Sequence, residues 1–436
     1  MQGNLSRNSK ILLFSFFFYL ILEGMLRKWF LPSLGQPLFL FKYVILIALY
    51  INYIGEGGKI TFPATYRPFL AAYFVYGLLC FFNLRVSDNV IVPIFGLINH
   101  FIYMPLVSIL ARYFVDERQI NDFIFKSSLV CIPIFILGVM QYYSPQDSIL
   151  NRYATEQDAA DVAVVGDKVR ITGVFSYIAT YAVFLYGIMF LLFYNIVNDL
   201  ILKKYNIIKI SIFIFGIINM FMIGSRGIVL QLGILIAVYL IVLTLTGRAS
   251  ILASYVPLIL FGAVGFLIIA NTEAGVESFT NFSDRLTQVG DAAGRIDRLL
   301  SPLMNLEVAG PFGLGLGVAY QGVQGFITDR TLLPSYFEEE GDRLVLEIGL
   351  VGYLLILTMR IMIFFYNVKV FKRTQRISLM SLSLLIALYQ LPSIFGLSNM
   401  EFNYMDGAFF WTFGGIQYAI DLIDQRAEIK PLQNAA

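Results

Sequence analysis

Four arginines and three carboxylates in this mostly apolar chain are the residues whose types and placement could do chemistry: Arg170, Arg226, Arg295, Arg298, Glu340, Asp342 and Glu347. Arg170 opens Arg170-Ile-Thr-Gly-Val-Phe175 at the start of an apolar run, and Arg226 sits in Gly224-Ser-Arg-Gly227 between two others. An arginine at mid-membrane costs about 2.5–3.5 kcal/mol on insertion scales, less at the boundary where it can snorkel. Each therefore has two readings, a contact to lipid headgroups or an anion site facing a cavity. At a helix start, Arg170 opposes the helix dipole unless an anion joins it there. Glu340, Asp342 and Glu347 are expected either to offset the dipole of the helix they open, with Arg343–Glu347 as an i,i+4 pair, or to supply a general base.

The elements that must position these residues are membrane helices. The chain has 436 residues, 58% of them hydrophobic and 14% charged, with a mean hydropathy of +0.74. Soluble domains carry about 25% charge, so most of this chain has lipid as its solvent. A net charge of +2 gives no reason to expect nucleic acid as a partner. Cys80 and Cys131 lie inside apolar runs and read as small core residues. With His100 as the single histidine, no zinc or haem site is expected, an all-carboxylate magnesium or calcium site is less firmly excluded, and no cofactor is implied. His100 itself reads as a hydrogen-bonded core residue.

Apolar windows of about twenty residues recur roughly twelve times, centred near Phe18, Leu46, Tyr76, Tyr103, Pro133, Leu185, Phe215, Ile236, Leu260, Leu354, Leu385 and Phe413. The expected fold is an all-α polytopic bundle of about 12 helices. Nine helices fall in 1–270, with a smaller external loop at about 143–170. A long, partly helical external loop occupies 271–342, helices ten to twelve follow in 343–420, and a tail covers 421–436. Lysine and arginine clusters alternate with poorer connections, so the positive-inside rule places both termini in the cytoplasm and the long loop outside. The first helix reads as retained, because no small-residue cleavage site follows it.

Glu23 and Arg27, four apart on that helix, are expected to pair internally, with Trp29 as an interfacial anchor. In the long loop, Gly294–Leu300 reads as a short amphipathic surface helix. The run Gly310-Pro-Phe-Gly-Leu-Gly-Leu-Gly317 cannot be a stable helix, lacks the ending of a phosphate-binding P-loop, and predicts tight backbone packing or a bend. The halves of the chain show no repeat, and mid-helix carboxylates are few, which disfavours a coupled carrier.

In their order, these pieces resemble the O-antigen polymerase and O-antigen ligase superfamily. The resemblance rests on Arg170-Ile-Thr-Gly-Val-Phe, Gly-Ser-Arg226-Gly, the long late loop with Gly294-Arg295 and Gly313-Leu-Gly-Leu-Gly317, and Leu346-Glu-Ile-Gly-Leu-Val-Gly352. It spans about residues 152–357. It implies an enzyme of the bacterial inner membrane that transfers a glycan from an undecaprenyl-diphosphate-linked donor to a glycan acceptor, without metal or nucleotide sugar. Membrane lipid and other polysaccharide assembly proteins would be its partners. On this resemblance Arg170 and Arg226 hold the diphosphate, Arg295 or Arg298 assists, and one of Glu340, Asp342 and Glu347 is the base. Ligase members carry a histidine just before the post-loop helix. Here that segment reads Glu340-Gly-Asp342-Arg, which tilts the expectation towards a polymerase, with a ligase second and a transporter or flippase of lipid-linked sugars as the rival class.

Overall fold

The computed structural model describes residues 5–86, 89–154, 164–165, 168–204, 206–246, 302, 304–327, 331, 333 and 339–433, without the side chains of 226, 321, 324 and 428–433. The protein is an all-α polytopic bundle. In chain order the described helices are α1 (Arg7–Met25), α2 (Gly35–Gly55), α3 (Arg67–Phe81), α4 (Ile91–Phe101), α5 (Leu106–Tyr113), α6 (Glu117–Tyr143), α7 (Ile178–Ile201), α8 (Ile207–Met222), α9 (Arg226–Leu245), α10 (Leu306–Ala309), α11 (Glu340–Arg373), α12 (Ile377–Gln390) and α13 (Tyr404–Gln433). A two-residue antiparallel pairing, β1 (Val164–Val165) with β2 (Lys168–Val169), is the sheet found among the described residues.

Eight helical spans among the described residues are long and apolar enough to cross a membrane, against about twelve expected. The differences have local causes. Helices α3 and α8 are apolar but shorter. Helix α13 is long, yet carries Asp406, Asp421, Asp424 and Arg426. The window near Tyr103, although divided into α4 and α5 by a turn that ends at Pro105, is one of the eight as Ile91–Tyr113. The window near Leu260 lies outside the described residues.

Helix α7 is the centre of the bundle, with 94% of its apolar window buried. It packs against α6, α8, α9, α12 and α13, while α13 also packs along α5 and α11 lies against α3 and α12. The outer faces are apolar too: Phe18, Ile51, Leu79, Ile234, Ile241 and Phe365 are all exposed. Such surface is unfavourable in water and neutral in lipid. Since lipid removes the hydrophobic drive for helices to associate, close packing and interhelical hydrogen bonds bind them together. Asn219 of α8 accepts from Tyr181 of α7 at 2.8 Å and donates to the Phe135 carbonyl of α6 at 3.3 Å. Asn195 of α7 reaches Ser128 of α6, and Gln417 of α13 reaches Ser383 of α12.

One break in this helical architecture positions the site. Helix α11 is interrupted at Gly349, whose φ of 63° and ψ of −171° leave neighbouring backbone groups without intrahelical partners. The glycine run fills that gap. Leu314 N donates to Leu346 O (2.7 Å), Gly315 N to Glu347 O (3.2 Å), and Val351 N to Pro311 O (3.1 Å). A Cβ built on Gly313 would lie 2.4 Å from Glu347 O, so the two backbones approach as closely as only glycine permits. The run is therefore a backbone clasp on the first turns of α11.

Candidate functional site

Helix α1 ends in a π-helical turn, Leu26–Phe30. Such widened turns recur at functional sites because they re-aim consecutive side chains. Here Arg27 and Lys28 both enter the protein. Arg27 donates to Glu23 at 2.8 Å, the expected i,i+4 pair, and to Ser176 at 3.3 Å. Lys28 Nζ donates to Thr172 Oγ1 at 2.8 Å and to Gly173 O at 3.0 Å. From α2, Lys42 joins the same carboxylate: Nζ lies 3.1 Å from Glu23 and 2.7 Å from Phe39 O, and it sits 3.2 Å from the Phe39 ring centroid and 4.1 Å from that of Tyr404. Glu23, Lys28 and Lys42 are fully buried. The expected simple ion pair near a surface is thus a shared one, with Arg27 and Lys42 on the single carboxylate of Glu23, while the neighbouring Lys28 is held by Thr172 and Gly173. Aromatic faces offset part of the cost of the positive excess. The Arg27 Nε is buried with no hydrogen-bond partner.

The segment Arg170–Phe175 is the wall of this cluster. Sequence reasoning places Arg170 at a helix start, but α7 begins only at Ile178. The dipole argument for an anion at Arg170 therefore falls away. Instead Gln141 of α6 clamps the segment, accepting from Thr172 N (3.1 Å) and Gly173 N (2.8 Å) and donating to Gly173 O (3.0 Å). The Arg170 Nε donates to Ile223 O at 3.0 Å. That carbonyl immediately precedes Gly224-Ser225-Arg226, where Gly224 (φ 66°) ends α8 and Arg226 begins α9. The two arginine motifs are thereby adjacent along the backbone, although the Arg226 side chain is not among those described. Tyr153 lies close to Arg170, with its phenol pushed up to about 12, burial outweighing the arginine's opposing pull. Arg295 and Arg298, the amphipathic segment Gly294–Leu300, and most of the expected loop 271–342 lie outside the described residues.

The three carboxylates of α11 part company. Glu340 is buried against Arg360 (2.8 Å) and accepts from Met400 N (2.7 Å), and Arg360 also holds Glu401 at 2.5 Å. A free base facing an arginine-lined cavity is thus the wrong description of Glu340. Burial pushes the Glu401 carboxyl well above its usual range despite Arg360, with Glu340 adding to the rise. Glu347 is not the i,i+4 partner of Arg343. It accepts from Ala319 N at 3.1 Å and pairs with His100 Nε2 at 2.8 Å, while Arg343 lies over the Phe402 ring at 5.3 Å. The glycine clasp and the break at Gly349 aim Glu347 inward, towards α4. The other nitrogen of His100 meets Tyr73 at 2.5 Å, so the histidine is fully engaged between two partners. Asp342 is the carboxylate held by an amide, accepting from Asn305 Nδ2 at 3.1 Å.

These sets meet at one end of the bundle. Tyr320, beside the glycine run, lies within electrostatic reach of Glu23, Arg27 and Arg343, and burial raises its phenol. Phe402 bridges His100 and Arg343, and Tyr404 at the start of α13 faces Lys42. Sequence reasoning missed Lys28, Lys42 and Arg360. The signal was present, because Lys42 and Arg360 are lone cations inside apolar runs, where burial is costly unless a partner or ligand is provided.

No family model matches the chain, and no curated protein is significantly similar to it in sequence. Fold and composition define the class, a polytopic helical membrane protein. The particular activity is a matter for the geometry of the site.

Proposed function

We propose that the protein is a membrane glycosyltransferase that polymerises lipid-linked oligosaccharide units, moving a glycan from a polyprenyl diphosphate to the hydroxyl of an acceptor sugar. The observation that carries this reading is the gathering of three basic side chains, Arg27, Lys28 and Lys42, where the one acidic partner is Glu23, with the Arg27 Nε unpartnered. Fixed cations in a site screened from water suit a diphosphate, and they act most strongly as it departs with developing charge. Arg170, tied to the same wall, extends the cationic surface.

On this reading a carboxylate accepts the acceptor's hydroxyl proton, the oxygen attacks the anomeric carbon, and the bond to the diphosphate breaks. Glu340 is bound to Arg360, Glu347 to His100 and Asp342 to Asn305, all at the start of α11, and the base is one of these three. The resemblance implies the bacterial inner membrane as the setting, and the charge pattern of the connections favours this end of the bundle outward. A carrier of lipid-linked sugars would also welcome the cations. The two are separated by reconstituting the protein in liposomes with a lipid-linked repeat unit alone. Lengthened products support polymerisation. Transfer only to an added acceptor would instead mark a ligase, and movement of the lipid without any new glycosidic bond would overturn the enzymatic reading.

A further inference from the structure

A cavity of about 870 Å³ lies between α1, α6, α7 and α13, and Arg27, Lys28 and Lys42 are not among the residues that line it. Its wall is apolar, formed by side chains such as Ile11, Phe14, Phe18, Val130, Phe184 and Phe413. Its charged groups belong to the first residues of α1 and the first half of α6: Arg7, Lys10 and Lys126, against Asp122 alone. Arg7 and Lys126 are exposed, Lys10 half-buried. Along α1 the lining runs from Arg7 to Ile21, roughly 21 Å at the rise of an α-helix. One leaflet of a bilayer core is about 15 Å deep. The shape is thus a long greasy channel with a basic mouth, too apolar in its depth for a sugar or nucleotide.

We infer that this cavity binds one anionic phospholipid, its acyl chain along Phe14, Phe18 and Phe413 and its phosphate among Arg7, Lys10 and Lys126. The charge balance at the mouth selects the occupant. Among the described lining residues, three cations against one carboxylate leave an excess of two positive charges, and a basic residue near an anionic lipid surface is worth about a fivefold gain in binding. The chain supplies the apolar burial and the headgroup the selectivity, which is the two-signal arrangement that stable lipid association needs.

The test uses the full-length protein purified in detergent, offered phosphatidylglycerol or phosphatidylcholine with identical acyl chains, and read by native mass spectrometry. The expected result is one retained lipid, with phosphatidylglycerol preferred about 25-fold, or fivefold for each excess charge. The combined substitution Arg7→Ala, Lys10→Ala, Lys126→Ala should bring that ratio close to one while circular dichroism stays unchanged, because it alters the mouth and not the packed core. Ser15→Trp, which fills the channel and leaves the mouth intact, should abolish retention of both lipids. Equal retention of the two lipids by the unaltered protein would overturn the inference. So would an unchanged preference in the triple variant, or retention of a polyprenyl lipid in place of the phospholipid.

Discussion

Replacing Lys28 by Met separates a ligand-binding cation from a structural one. Lys28 has no carboxylate partner. Its donors go to the Thr172 hydroxyl and the Gly173 carbonyl, and Gly173 O keeps a second donor in Gln141 Nε2. The substitution therefore strands little, and Met fills much of the same volume. Loss of a typical hydrogen bond costs about 1 kcal/mol, and removing a buried charge from neutral surroundings offsets part of that. The unfolding midpoint should stay nearly constant. If Lys28 donates to a diphosphate oxygen in the transition state, the lost charge-assisted bond is worth about 1.5–3 kcal/mol. At ~1.4 kcal/mol per factor of ten, kcat/KM should fall about 10- to 150-fold. The assay is glycan chain lengthening from a purified lipid-linked repeat unit, beside thermal unfolding in the same detergent. Activity within about twofold of the unaltered protein would refute the phosphate role. A collapse of the unfolding midpoint would refute the claim that Lys28 is dispensable to the fold.

Two other substitutions probe the frame around the site. Gly349→Ala should destabilise the protein by about 3 kcal/mol or more, because the backbone region Gly349 occupies costs other residues about 1–3 kcal/mol and the new Cβ would lie 2.4 Å from Gly313 N; a thermal unfolding curve matching the parent's would show that the clasp is not needed. Glu401 has a folded-state carboxyl raised above its unfolded value, so the folded state binds more protons, and its contribution to stability is present at low pH and lost as pH rises through the raised value. The unfolding midpoint should accordingly drop as pH rises above the ordinary carboxylate range, by an amount that shrinks in Glu401→Gln, and an identical drop in both proteins would remove Glu401 as the source.

Much of the fold was legible because hydropathy is a local property. Apolar windows near Phe18, Leu46, Leu185 and Leu385 fall on α1, α2, α7 and α12. The Glu23–Arg27 pair was readable for the same reason, since both partners sit on one helix face. The carboxylates of α11 were not. Proximity in sequence made Arg343 the obvious partner of Glu347, yet the actual partner is His100, 247 residues away. Likewise Arg170 read as a helix start because its apolar successors continue into α7, whereas Gln141 and Lys28 hold the intervening backbone out of the helix.

By itself the sequence determined the solvent, the helical class and the places where charge is costly, because each depends on the composition of a short window. The tertiary structure decided how that cost is met. Lys28 finds Thr172 across 144 residues of chain, and Lys42 shares Glu23 with Arg27. A buried charge takes whichever partner the helix packing brings within hydrogen-bond reach, and that packing is fixed by contacts between distant segments that no window contains.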